Sequence, residues 1–203
     1  MNEGLPAMSM MSFFRVSLVC EAASHIGCGT RAGPVLAELE REPGVREAWL
    51  SRDGTALGVV WADEACAPER VQSTLRRHGV AGLELKGFEH QRSYDSFACG
   101  GWYRPMQIQE LSAEEARVIA ARLIRRLEQS VSVSASAAQC LAERLEDACA
   151  RALAAASATC ASTRRDQIAA ALLDAGRDFL DPATFQALAA VVSLGHRPLV
   201  GES

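Results

Sequence analysis

The sequence predicts an α+β N-terminal part followed by an all-helical C-terminal part. Three observations carry this. β-Prone and helical segments alternate in the order β-α-β-β-α-β across residues 13–88. A turn-rich stretch without clear periodicity follows. From Leu111 onward, apolar residues recur every three to four positions in alanine-rich surroundings.

Taken in order, residues 13–19 (Phe-Phe-Arg-Val-Ser-Leu-Val) are β-rich and partly alternating, and predict a first strand. Residues 30–42 predict a helix, with Thr30 as N-cap, Pro34 in the first turn and Val35, Leu36 and Leu39 on the apolar face. Glu42-Pro43-Gly44 ends it. Residues 45–51 and 55–61 predict a hairpin around Arg52-Asp53-Gly54. Pro68 opens a second helix, residues 68–78, and His78-Gly79 stops it. Residues 81–88 predict the last strand. This order is the split βαβ, or ferredoxin-like, pattern, in which both helices lie on one face of an antiparallel sheet.

The predicted organisation is a disordered tail over 1–11, a ferredoxin-like domain over 12–89, a connector over 90–110 and a helical domain over 111–203. Ser112 with Glu115 makes a capping box, and Ala116, Ile119, Leu123 and Leu127 form one apolar stripe. Arg117, Arg122, Arg125 and Arg126 surround that stripe as a solvated face. Further helices are expected at 137–156, 162–180 and 182–194, with Ile168, Leu172 and Phe179 in the core. Four helices with short connections predict a small bundle.

The 203 residues carry a net charge of −4, which argues against a nucleic-acid binder. The apolar run Phe13–Cys20 is broken by Arg15 and is too short to span a bilayer. Seven cysteines without framework spacing predict a reducing, cytoplasmic setting. Cys66, Cys140, Cys149 and Cys160 read as small buried hydrophobes. Cys140 and Cys149 fall on opposite helix faces.

Chemistry concentrates in residues 20–34, which place Cys20, His25 and Cys28 within nine residues ahead of a helix. Backbone N–H groups at a helix start stabilise a thiolate, the form that binds soft metals and attacks electrophiles. Cys28, His25 and Cys20 are therefore the candidate metal ligands. Cys99, in the irregular connector before Gly100-Gly101, is a fourth from outside the domain. No Walker loop, dinucleotide fingerprint, nucleophile elbow or His-Glu-x-x-His occurs.

Residues 13–88 resemble the heavy-metal-associated domain of copper chaperones, metal-transporting ATPases and mercury-binding proteins. The strand Arg15–Val19, the loop ending in Gly27-Cys28-Gly29, the helix Ala32–Glu40, the Pro43-Gly44-Val45 link and Gly54 carry the resemblance. It implies one bound soft or borderline ion, zinc or copper, passed on by ligand exchange between exposed thiolates. The family's loop carries Cys-x-x-Cys. Here the spacing is His25-x-x-Cys28, and Ala23 stands where the family has methionine. Mixed sulfur and nitrogen ligands suit zinc and copper.

The first expectation is thus a bacterial metallochaperone-like or metal-sensing protein, not an enzyme. Its C-terminal helices dock a protein client or form a homo-oligomer, with no nucleic acid and no membrane involved. The second is a metal-free interaction or regulatory module, comparable to small-molecule-sensing modules of this fold, that oligomerises through those helices. A third is a thiol enzyme with Cys28 as nucleophile and His25 as base.

Overall fold

The computed structural model describes residues 5–63, 67–155 and 161–199. Cys66 and Cys160 lie outside them. The chain divides into two compact units, Met1–Cys20 with Ser24–Leu111, and Glu21–Ala23 with Ser112–Ser203.

The first unit is built on one antiparallel sheet. Its strands are β1 (Met11–Arg15), β2 (Val45–Ser51), β3 (Ala56–Trp61), β4 (Leu83–Glu84) and β5 (Trp102–Tyr103), in the order β4-β1-β3-β2-β5. Helix α1 (Gly29–Leu39) follows β1, and α2 (Pro68–Arg77) links β3 to β4. Phe13 pairs with Gly58 across β1 and β3, and Trp49 pairs with Gly58 across β2 and β3. Side chains alternate across the sheet. Met11, Phe13, Trp49, Ala56 and Val60 therefore share one face with Leu85 and Trp102. Phe14, Ala48, Leu50, Leu57 and Val59, all fully buried, take the other.

Helices α1 and α2 are fastened to each other at their C-terminal ends. Arg77 donates to Glu38 and Glu42, Thr74 donates to Glu42, and His78 meets Glu38 at 2.6 Å. These hydrogen bonds hold both carboxyls below their ordinary range, Arg77 acting most on Glu38 and Thr74 most on Glu42.

The expectations for residues 90–110 and for the tail need correction. Residues 90–110 are no mere connector. Helix α3 (Phe88–Ala98) enters that stretch and β5 lies within it. Gly87, at φ +56°, turns the chain out of the sheet, so the expected strand 81–88 shrinks to two residues. Tyr94 and Phe97 of α3 then pack on the Phe13 face. Phe97 stacks edge-on with Phe13, Trp49 and Trp102 at centroid distances of 6.4, 5.3 and 5.7 Å. His90 meets the Met11 carbonyl at 2.9 Å.

The second correction concerns the tail. Met8–Met10 form a 3-10 turn, and Met11 is a buried residue of β1. Tyr94 donates its hydroxyl to the Pro6 carbonyl at 3.0 Å, which ties residue 6 to α3.

Helix α1 also starts one residue earlier than its expected first turn. Cys28, not Thr30, occupies the N-cap, and Pro34 falls inside the helix. Proline has no N–H, so it offers nothing to the Thr30 carbonyl one turn back.

Helix α4 (Ile108–Ser130) begins before the expected Ser112 cap. The second unit takes α4 from Ser112 on, with α5 (Ala135–Ala155), α6 (Ala161–Arg177) and α7 (Pro182–Ser193). Helix α5 packs on α6, and α6 on α7. Asp181 caps α7 by accepting from the N–H groups of Ala183 and Thr184. Ala116, Ile119, Leu123 and Leu127 are all buried, as are Ile168 and Leu172. Phe179 is only half-buried, beneath the Arg144 guanidinium at 5.0 Å.

The arginine face is not uniformly solvated. Arg122 and Arg126 are each 4% exposed. Arg122 donates to the His196 carbonyl, and Arg126 donates to the carbonyls of Gly195 and Arg197. Those carbonyls follow the end of α7, where a cation is favourably placed.

The hairpin turn gives the sharpest test of the first unit. Gly54 has φ +72°, and a Cβ there would lie 2.6 Å from the Leu18 carbonyl oxygen. Gly44 has φ +87° but open space around it. Gly54→Ala is expected to cost about 3 kcal/mol and Gly44→Ala about 1 kcal/mol, read as shifts of the chemical-denaturation midpoint. Equal costs would show that backbone angle alone matters at residue 54.

Candidate functional site

Beyond β1 the chain stays extended. Val16 donates its N–H to Thr55, and Leu18 donates to Gly54. The chain then doubles back: Cys20 N–H donates to Ile26, Cys28 N–H donates to Leu18, and Val19 pairs with Gly27. This register puts Leu18, Cys20, Ile26 and Cys28 on one face of a narrow ribbon. All four are buried.

The ribbon lies against the β2–β3 turn. Gly27 N–H donates to the Arg52 carbonyl at 2.6 Å, and a Cβ on Gly54 would fall 2.7 Å from Gly27 Cα. A Cβ on Gly27 itself would meet Leu50 at 2.9 Å. The Gly27-Cys28-Gly29 sequence is thus explained first by close backbone approach.

The candidate ligands are distributed as follows. The Cys28 thiol lies 3.2 Å from the Thr30 hydroxyl. Cys20 is buried on the same ribbon face. His25 is exposed at the tip of the loop. Cys99, also exposed, caps the C-terminus of α3. Among the described residues no group of three or more His, Cys, Asp and Glu side chains is placed to hold a metal ion. What the fold does bring to one ribbon face is the pair Cys20 and Cys28.

His25 faces a cleft of about 600 Å³ that lies wholly within the first unit. Leu85, Trp102 and Ala56 supply its apolar surface. Arg15 comes from β1, and Arg52, Asp53 and Thr55 come from the hairpin turn. Glu89, Arg92, Ser93 and Ser96 come from α3, at spacings that share one helix face. Gly100 and Gly101, both at positive φ, close the rim, and Gly101 accepts from the Arg52 N–H at 2.9 Å.

The acids of the cleft are already engaged. Glu89 pairs with Arg15. Asp53 accepts from the Ser51 hydroxyl at 2.6 Å and from both the N–H and the hydroxyl of Thr55. Burial works to raise the Asp53 pKa, but these hydrogen bonds together outweigh it and hold the carboxyl below its usual range. Arg92 and His25 engage no other side chain among the described residues. The cleft thus carries a surplus of cationic and neutral donors.

Sequence reasoning missed Arg52, Arg92, Ser93 and Ser96 because no local pattern joins them. The signal it could have used is the Arg-Ser step at 92–93 with Ser96 one turn on, once α3 is admitted as a helix.

No family model matches this chain, and neither a curated protein nor a solved structure matches it. Among the described residues, no helix is long and apolar enough to cross a membrane.

Thiol burial sets a direct test. Cys99 and Cys140 are exposed, whereas Cys20, Cys28 and Cys149 are buried. Burial first, and the Glu115 charge second, push the Cys149 thiol up to about 12. Brief alkylation of the native protein is expected to modify Cys99 and Cys140 ahead of Cys20, Cys28 and Cys149, as read by peptide mass spectrometry. Early modification of Cys28 would instead indicate an accessible reactive thiol.

Proposed function

We propose that this chain is a regulatory module that binds a small organic anion in the His25–Arg52–Arg92 cleft and assembles through its C-terminal helices. One observation carries the reading. Cationic and hydroxyl donors from the loop, the hairpin turn and α3 converge on a cleft with an apolar floor, at a size suited to a small-molecule ligand. Orientation comes from these polar groups, set beside the small edges of Leu85 and Trp102 that stay open.

The strand order supports a ferredoxin-like core, with β4-β1-β3-β2 as its sheet and β5 added at the β2 edge. Fold alone does not fix activity, so the cleft bears the argument. For assembly with a second copy or a protein client, the support is a groove between α5 and α6. Ala148, Ala152, Ala155, Ala171 and Ala175 line it, between Arg151 and Asp174. Free cysteines at Cys20, Cys28, Cys99, Cys140 and Cys149 fit a cytoplasmic setting.

A second reading keeps the metal ion. It is favoured by the common ribbon face of Cys20 and Cys28. Two thiolates without a third ligand suit copper(I) better than tetrahedral zinc. Copper(I) uptake by the wild type that is lost in Cys28→Ala would support it. Identical metal content in the two would remove it.

The anion reading is tested by thermal denaturation of the full chain against a panel of organic carboxylates and phosphate esters. At least one class is expected to raise the melting temperature of the wild type and not of Arg92→Ala. Arg92 is exposed, so the variant without ligand is expected to melt within a degree or two of wild type. If no anion separates the two proteins, the cleft is not the ligand site.

A further inference from the structure

We propose that residues 195–199 form a pH-sensitive strap on the second unit, held while the His196 imidazole is neutral and loosened when it takes up a proton. The strap lies in the second unit and owes nothing to the anion cleft of the first. Its attachment, the charges around His196 and a hinge carry the proposal.

The attachment is polar. Arg122 donates to the His196 carbonyl at 2.8 Å, and Arg126 donates to the carbonyls of Gly195 and Arg197 at 2.6 and 2.7 Å. The Arg197 side chain pairs with Glu21, which belongs to the same unit. Apolar anchoring is slight, since Leu194 and Leu199 are 57% and 42% exposed. Hydrogen bonds and charge, more than covered apolar area, therefore decide whether the strap stays down.

The surroundings of His196 are cationic. The residue is half-buried, with Arg165 of α6, Arg122 of α4 and Arg197 of its own segment acting on it, against the carboxylate of Glu21. Arg126 of α4 grips the carbonyls on either side. A proton on the ring adds a positive charge beside these guanidiniums, and the repulsion acts on the segment that carries the ring. Burial first, then Arg165, Arg197 and Arg122, hold the His196 pKa below the ordinary histidine value, with Glu21 opposing the arginines. The unfolded chain thus binds this proton more readily than the folded unit does. The hold is complete above the ordinary value of about 6.5 and declines as the pH falls below it.

Gly195 supplies the hinge. Its φ is +85°, and a Cβ there would meet nothing within 4 Å. The chain thus leaves α7 at a residue of wide conformational freedom with open space beside it. Loosening the strap uncovers Arg122 and Arg126, each 4% exposed when it is down, and water then receives their guanidiniums.

The test is an NMR titration of the isotopically labelled full chain between about pH 7.5 and pH 5, the range in which histidine changes charge. The His196 ring is expected to titrate below the ordinary histidine value. The backbone signals of Gly195, His196 and Arg197 are expected to move with the same midpoint toward unstructured positions. In His196→Gln, which keeps a neutral polar side chain, that backbone response is expected to be lost. Arg165 is exposed, so Arg165→Gln leaves the packing alone and is expected to move the midpoint upward. A ring that titrates while the backbone signals stay in place would overturn the strap. The same backbone response in His196→Gln would assign it to another group and overturn the role of His196. A midpoint that Arg165→Gln leaves unmoved would overturn the cationic cluster as its cause, whether or not His196→Gln folds.

Discussion

The first unit depends on one close approach, the apposition of Gly27 and Gly54. Neither position has room for a side chain, because Leu50, the Leu18 carbonyl and the opposing glycine backbone fill the space where a Cβ would go. This contact lets the ribbon 16–28 lie against the β2–β3 turn and donate from Gly27 to Arg52. Ribbon and turn together fix where His25 and Arg52 stand. They also set the entry of the chain into α1, since Cys28 closes the ribbon and caps the helix in the same residue. A loop that looks designed around its cysteine is therefore designed first around its glycines.

A second organising feature is the use of both faces of the sheet. Apolar residues of alternating parity along β1 and β3 require cover on each side. Helices α1 and α2 lie between the strands in sequence, and α3 follows them. The aromatic cluster of Phe13, Phe97 and Trp102 anchors α3. That anchoring leaves a flank of α3, from Glu89 to Ser96, turned toward the cleft beside the same Leu85 and Trp102. Packing on one helix face thus arranges polar donors on another.

Legibility in the sequence followed the locality of the signal. The hairpin around Arg52-Asp53-Gly54, the Pro68 start and His78-Gly79 stop of α2, and the Asp181-Pro182 start of α7 rest on adjacent residues, and the elements lie close to where those residues put them. Helix α3 was not legible. Its buried side is almost wholly aromatic, Tyr94 and Phe97 amid Glu, Gln, Arg, Ser and Asp, so the usual aliphatic period is missing. Strand β5 is two residues long and exists only by pairing with Leu50 and Ser51. The burial of Arg122 and Arg126 was hidden for a related reason, since their acceptors lie about seventy residues further on. The loop at 20–28 drew attention through its Cys and His residues. The other cleft residues, Arg52, Arg92, Ser93 and Ser96, come from separate elements, and only the fold brings them together.

The grip of Arg122 and Arg126 on residues 195–197 also has a meaning in time. A ribosome makes the chain from its N-terminus, so both arginines emerge long before the carbonyls they bind. Until residues 195–197 emerge, these guanidiniums lack the carbonyls that receive them in the folded unit. Residues 195–197 thus complete the polar surroundings of these two arginines.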